Sequence, residues 1–345
     1  MKLRLQPAVR RFILRRTAGA LFLLIGVTAI AFVLTNVVPG DPIASALGED
    51  AADNPEAVAA FEERHGLNRP LPVQYGMYVS RLVQGDLGIS RITRTPVRDE
   101  LRERIPATLE LAFVAISLSL VAGITLGTAA AMFRDRWLDQ FLRVISLAGV
   151  SAPVFWLAIV ALYLLHFRLG IFPGVGRLDP GMAPPPTVTG AYTIDSLLDG
   201  DLVTFRSAIG HIFLPAGVLA VYTISVLTRF SRSAVLDVLG HDYIRMARAK
   251  GIPGRVLIIQ HVLRAAISPI ITVGGVMFGN ILSGTVLVES VFVWPGLGQY
   301  AFRSATNLDL PGIVGVSIFV GVVFVTINLI VDLLYGVIDP RIELK

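Results

Sequence analysis

No cysteine occurs in the 345 residues, which excludes a disulfide framework, a thiolate zinc site and an iron–sulfur cluster. Charge is scarce as well. Asp, Glu, Lys and Arg make up 16% of the chain, against roughly a quarter in a soluble domain, too little to cover a water-facing surface. Phosphate-loop (G-x-x-x-x-G-K-[ST]), H-E-x-x-H, G-x-S-x-G and post-strand G-x-G-x-x-G signatures are all missing. The histidines (His65, His166, His211, His241, His261) are scattered, with no pair at i, i+4. No convergent catalytic set, metal site, cofactor or nucleic-acid partner is therefore expected. What is abundant is apolar: 54% of residues are hydrophobic and the mean hydropathy is +0.70.

The apolar residues fall into six stretches, at about 12–38, 107–133, 141–167, 211–230, 267–288 and 312–338. Each is long enough to cross a hydrocarbon core as a helix, which takes about 20 residues and satisfies its own backbone there. The fold class is an all-α polytopic membrane protein. Three regions follow: 1–38 as N-terminus and first span, 39–106 as a large external loop, and 107–345 as a five-helix core holding an internal loop at 231–266. Arg10, Arg11, Arg15 and Arg16 before the first stretch, with Ala44-Ser45-Ala46 after it, also fit a cleaved signal. The run from Ala18 to Leu34 exceeds the usual 7–15-residue signal core, however, so a retained span is expected. Short helices are expected around 55–65 and 73–83, and little regular structure at 170–210, with its Pro184-Pro185-Pro186 run.

With both termini inside, the internal segments carry most of the basic residues: six near the start, then Arg134 and Arg136, then Arg232, Arg245, Arg248, Lys250, Arg255 and Arg264, then Arg341 and Lys345. The loop 168–210 sets only Arg168, Arg177 and Arg206 against Asp179, Asp195, Asp199 and Asp201. This is a positive-inside pattern. Arg98, Arg102 and Arg104, just before the second span, run against it, although they alternate with Asp99, Glu100 and Glu103.

The most informative internal loop is 239–253. Gly240 breaks the preceding span, Asp242 is placed to N-cap, residues 243–250 favour helix, Gly251 falls at C′ and Pro253 bars continuation. Asp242 at the start and Arg248 and Lys250 at the end complement the helix dipole. Tyr243, Ala247 and Gly251 share a face by spacing, narrow enough for a partner to approach. Physical chemistry alone leaves two readings equally open: a docking helix, or a basic helix lying on lipid headgroups.

The run Asp242-Tyr243-Ile244-Arg245-Met246-Ala247-Arg248-Ala249-Lys250-Gly251 resembles the cytoplasmic "EAA" loop of permease subunits of bacterial ABC importers, in its dipeptide/oligopeptide form. Arg245 stands where the general motif has Glu, and Arg264 where it has a late proline. Other segments resemble the same family in order: Pro39-Gly40-Asp41-Pro42, Pro70-Leu71-Pro72-Val73-Gln74-Tyr75, Gly85-Asp86-Leu87-Gly88, Ser151-Ala152-Pro153-Val154-Phe155-Trp156-Leu157, Glu289-Ser290-Val291-Phe292-Val293-Trp294-Pro295-Gly296-Leu297-Gly298, and the tail from Asp332 to Arg341. Together they favour the first ("B") permease subunit. The resemblance implies a bacterial inner-membrane protein working with a second permease, two cytosolic ATPases that bind the ATP and magnesium, and an external substrate-binding protein. It implies that Asp242, Tyr243, Arg245, Ala247, Arg248, Ala249, Lys250 and Gly251 form a coupling helix against an ATPase. Peptides are the expected cargo, with nickel, oligosaccharides or other solutes as alternatives within the same architecture. A stand-alone channel or secondary transporter is the rival; the charged mid-span residues and symmetric broken helices common in those proteins are not evident.

Gly123-x-x-x-Gly127 and Gly275-x-x-x-Gly279 suit close helix contact. Asn280, read as a buried mid-span residue, is a candidate either for an interhelical hydrogen bond or for the translocation path. Glu289, near the outer end of span five, is a candidate for the membrane interface or for the path. Asp332 is expected to pair with basic residues near the end of span six, and Trp137, Trp156 and Trp294 to be interfacial or packing aromatics.

Overall fold

The computed structural model describes residues 69–338 together with 19, 22, 24–30 and 32–33; side chains at 328 and 331–338 are outside that description. The expected Pro39–Pro42 opening, the 55–65 helix, most of the first span, the Asp332 side chain and the end of the tail therefore lie outside the described residues. Among the described residues the chain is helical, with one isolated antiparallel bridge, Ile89 to Pro96. The helices are α1 (Leu71–Val83), α2 (Val97–Met132), α3 (Trp137–Ser151), α4 (Val154–Arg168, its second half a π-helix from Leu162), α5 (Tyr192–Asp199), α6 (Leu202–Leu239), α7 (Asp242–Ala249), α8 (Gly254–Val291, with a π stretch Leu257–Leu263), α9 (Leu297–Thr306) and α10 (Leu310–Ile338).

Four of these are long and apolar enough to cross a membrane: α2, α6, α8 and α10 from Leu310 to Ile327. A fifth span results if α3 and α4 are taken together. Their axes are bent by 105°, so the continuous third stretch expected at 141–167 is corrected to two helices meeting at a sharp bend, the geometry of a broken span or a re-entrant pair. The break falls at Ser151-Ala152-Pro153, where Pro153 precedes α4 and lacks the N–H needed to continue α3. The loop 170–210 also holds more structure than expected, since α5 lies within it.

The chain divides into two compact units, residues 1–105 with 300–325, and residues 106–299 with 326–345. In the first, Thr28 and Tyr75 share a hydroxyl hydrogen bond of 2.9 Å, and Phe32 packs on Tyr75 and Tyr78. Burial pushes the Tyr78 hydroxyl up to about 12, partly opposed by Arg81. The Ser90 hydroxyl (2.5 Å) and the Arg91 backbone N–H (3.1 Å) donate to buried Asp309, fastening the segment before α2 to the one before α10. Arg104 pairs with Glu100 at 2.7 Å and lies over the Tyr300 ring. α2 starts at Val97, about ten residues ahead of the apolar stretch or roughly 15 Å of helix. The arginines that ran against the positive-inside pattern stand on this extension.

The second unit is organised around α6, whose 38 residues reach well beyond a roughly 30 Å hydrocarbon core. Asp201 caps its start, accepting from the N–H groups of Val203 and Thr204 at 3.0 and 3.1 Å. α2 approaches it through the first glycine motif: a methyl at Gly123 would lie 2.5 Å from Leu227 Cβ, and one at Gly127 2.6 Å from Ser231 Cβ. This bears out close packing at that motif. α3 runs along α6 in the opposite direction, Asp139 meeting Arg232 near one end and Gly149 meeting Ser225 near the other.

Candidate functional site: the loop helix and the turn around Glu289

Beyond the C-terminal end of α6, α7 spans Asp242–Ala249. The N-cap position is His241, with no side-chain cap bond. Asp242, expected as the cap, is instead the first helical residue. There it favours the positive helix end and stands 3.4 Å from Arg245. The other end matches its sequence reading in full. Gly251 takes φ +76, its N–H reaches the Arg248 carbonyl at 3.0 Å, and the Ile252 N–H reaches the Ala247 carbonyl at 3.3 Å. These paired bonds form a Schellman motif, and the left-handed residue at C′ is where a side chain costs most.

Ile244, which sequence reasoning passed over, holds this helix in place. It is 1% exposed and sits in a cluster with Ala131, Leu227, Val235, Val238, Leu257, Val262, Ala266 and Ile270, against which Ala247 and Ile252 also pack. The expected face of Tyr243, Ala247 and Gly251 is accordingly split. Ala247 turns inward beside Ile244, because residues three apart share a helix face, while Tyr243 and Gly251 remain exposed. Asp242, Arg245, Met246, Arg248, Ala249 and Lys250 are exposed too. Met246, 60% exposed on a helix with an apolar inner face, joins the free surface although its spacing singled out nothing.

Glu289 is neither at an interface nor on an open face. It is 0% exposed, its carboxylate accepting from the Thr108 hydroxyl at 2.7 Å and the Gln299 N–H at 3.0 Å. The turn Trp294-Pro295-Gly296-Leu297-Gly298 wraps it so tightly that a side chain at Gly296 would collide with the carboxylate. Leu297 N–H donates to Thr108 Oγ1 at 2.8 Å, and Trp294 Nε1 to the Ala107 carbonyl at 3.0 Å. The Glu289 candidacy for the path is thus corrected: the group locks the end of α8 to α2. No local signal could show this, since Thr108 is 181 residues away.

Asn280 is corrected in the other direction. It is exposed rather than buried, its only described polar contact being Met277 Sδ at 3.9 Å. It belongs to an exposed stripe of α8 at Val276, Asn280, Ser283 and Leu287, opposite a buried face that includes Phe278, Ile281, Leu282 and Val288. A carboxamide facing hydrocarbon in mid-span is costly, so this stripe calls for a polar neighbour or water.

A second buried polar group stands near the start of α6. Arg177 Nη2 donates to Glu110 Oε2 at 2.6 Å and to the Gly190 carbonyl at 3.0 Å. The other Glu110 oxygen accepts from the Thr193 N–H and hydroxyl at 2.8 and 2.6 Å. The guanidinium lies 3.5 Å from the Tyr192 ring centre. Nearby, Asp195 accepts from Thr189 (N–H and hydroxyl), Gly190 and Val188. Burial would raise its pKa, but these donors outweigh burial and hold it below the ordinary value. No group of three or more potential metal ligands occurs among the described residues.

Comparison with known proteins identifies the class as the transmembrane component of a binding-protein-dependent transport system. The family described as binding-protein-dependent transport system inner membrane component matches residues 123–344, and the N-terminal family of the same systems matches 9–112. The chain belongs to this family. It is 44% identical over 95% of its length to a probable D,D-dipeptide transport system permease protein of Escherichia coli K12, of which it covers 96%. It is 39% identical to the dipeptide transport system permease protein of Alkalihalophilus pseudofirmus over 96% of this chain and 99% of that one. The inward-facing MetNI methionine ABC transporter resembles it in fold, with a TM-score of 0.52 at 15% identity over 69% of this chain and 96% of that chain.

Proposed function

We propose that this chain is one of two permease halves of an ATP-driven importer of dipeptides or closely related short peptides. Its termini lie in the cytoplasm, and α7 is the coupling helix seated in a groove of one of two cytosolic ATPases. ATP and magnesium bind to those partners, a second permease completes the path, and an external binding protein delivers the cargo. The peptide reading rests on relatives named for dipeptide transport that match nearly the whole chain.

The observation that carries the coupling role is the construction of α7: one face plugged into the helix cluster by Ile244, the other free, and both ends sharply terminated. Such an element transmits displacement as a rigid body. A closure of ATPases around it biases the helix bundle between conformations separated by a few kcal/mol. On the path side, Asn280 and Ser283 offer uncharged hydrogen-bonding groups suited to peptide amides.

Gly251→Val tests the coupling assignment. A β-branched residue at φ +76 is strained, so uptake of radiolabelled dipeptide should fall to background while membrane insertion, followed by immunoblot of washed membranes, stays normal. Uptake at the unaltered rate would sink the assignment.

A further inference from the structure

We propose that the turn joining α2 to α3, with the first two turns of α3, binds the headgroup of an anionic phospholipid. α3 buries a narrow, mixed face and exposes a broad, mostly apolar one that also carries Gln140 and Arg143. Asp139, Leu142 and Ser146 face inward and are buried, whereas Trp137, Phe141, Val144 and Ile145 are exposed, Trp137 by 75%. A tryptophan at a helix end beside such a face is typical of the membrane–water boundary.

Three arginines stand on or beside this surface: Arg134, Arg136 and Arg143, all exposed. Two carboxylates are near enough to neutralise them, Asp135 and Asp139. Asp139 is already taken. Arg232 from α6 binds it with both ends of the fork, at 2.7 and 2.8 Å, and the Asp135 N–H adds a third bond at 3.0 Å. Arg143 Nε is left at 3.6 Å from Asp139, beyond hydrogen-bond reach. Asp135 pairs with Arg134 at 3.2 Å, but both side chains are mostly exposed, and such pairs are weak. Arg136 lies over the Phe133 ring at 5.9 Å, a contact that leaves its donors available.

Arg143 makes the strongest demand. It follows Trp137 by six residues, about 9 Å along the helix, among apolar side chains. A guanidinium there needs an anion, and its long stem can carry the charge back toward the headgroups. The two non-bridging oxygens of a phosphodiester accept from the planar guanidinium forks of Arg136 and Arg143, while the lipid's acyl chains lie along Phe141, Val144 and Ile145. The surplus of cations over free carboxylates selects an anionic lipid over a zwitterionic one.

The test uses the intact transporter purified in mild detergent, supplied with equal phosphatidylglycerol and phosphatidylethanolamine, and read by native mass spectrometry. The unaltered complex should retain phosphatidylglycerol preferentially. Arg136→Gln with Arg143→Gln should lower that retention about fivefold or more and leave phosphatidylethanolamine unchanged. Equal retention of the two lipids, or no loss in the double variant, would overturn the site. Loss of the second permease with lipid retention unchanged would also overturn it, by making this face a protein interface. Should the double variant not assemble, a photoreactive phosphatidylglycerol on the unaltered complex decides the matter: labelling must fall within residues 134–145, and labelling elsewhere alone rejects the proposal.

Discussion

The segments that flank α6 are held by opposite means. Near its start, the segment between α4 and α6 is tied down by buried charge: Arg177 against Glu110, with every oxygen of Glu110 occupied. Past its end, α7 is held by apolar packing alone, Ile244 buried in an apolar cluster with Ala247 and Ile252 beside it. A buried ion pair fixes one geometry, because displacement leaves a charge without its partner. An apolar plug resists withdrawal from its cluster, yet its attraction is non-directional and strands no charge when it shifts. One segment is fixed in a single geometry; under the proposed coupling role the other moves as a unit with the ATPase that grips its free face.

The largest expected effect comes from the charged end. Arg177→Met strands the Glu110 carboxylate inside the protein, at a cost of about 3–5 kcal/mol, and should sharply lower the thermal midpoint of the detergent-purified protein. A midpoint unchanged within about a degree would break the contrast. Ile244→Ala at the apolar end removes a buried aliphatic group worth about 2–5 kcal/mol, but Ile244 is the α7 residue buried in that cluster, so the loss falls mainly on the docking of this short helix. Amide exchange should rise through 242–252 and peptide uptake should drop, with a smaller midpoint shift than that of Arg177→Met. A larger shift would reverse the ranking of the two ends. The smallest effect is a dependence on pH. Asp195 is held below its ordinary value of 3.8, so the stability it contributes is present above that value and lost as pH falls through the lower folded one. Asp195→Asn should therefore flatten the acid side of the midpoint–pH curve, and parallel curves would show that this carboxylate contributes nothing to the difference.

Much of α7 was legible because its signals are local. Gly251 and Pro253 mark a helix end whatever the rest of the chain does, and the Schellman bonds lie where the glycine put them. Ile244 was passed over because one large aliphatic side chain in an octet otherwise of charged residues, Tyr243, Met246 and alanines has no periodicity to announce it. Glu289 was misread because its partners, Thr108 and Gln299, come from other helices, and a carboxylate near a span end looks the same from sequence whether wet or enclosed. The third span was read as continuous because hydropathy runs unbroken through Ser151-Ala152-Pro153, although the proline there was visible. Asn280 was read as buried because a mid-span amide is costly in lipid; the structure leaves it exposed, on a face whose neighbour sequence alone cannot supply.

The π stretch that opens α8 sets its phase. Its positions in the Ile244 cluster run Leu257, Val262, Ala266 and Ile270, a first step of five residues followed by two of four. In plain α geometry a step of five would turn Leu257 well away from the line of the others. The wider turn at Leu257–Leu263 takes up the additional residue and returns Leu257 to the cluster that holds Ile244. The backbone thus works as a vernier. The span and the loop before it are cut to slightly different pitches, and one wide turn brings their markings into line.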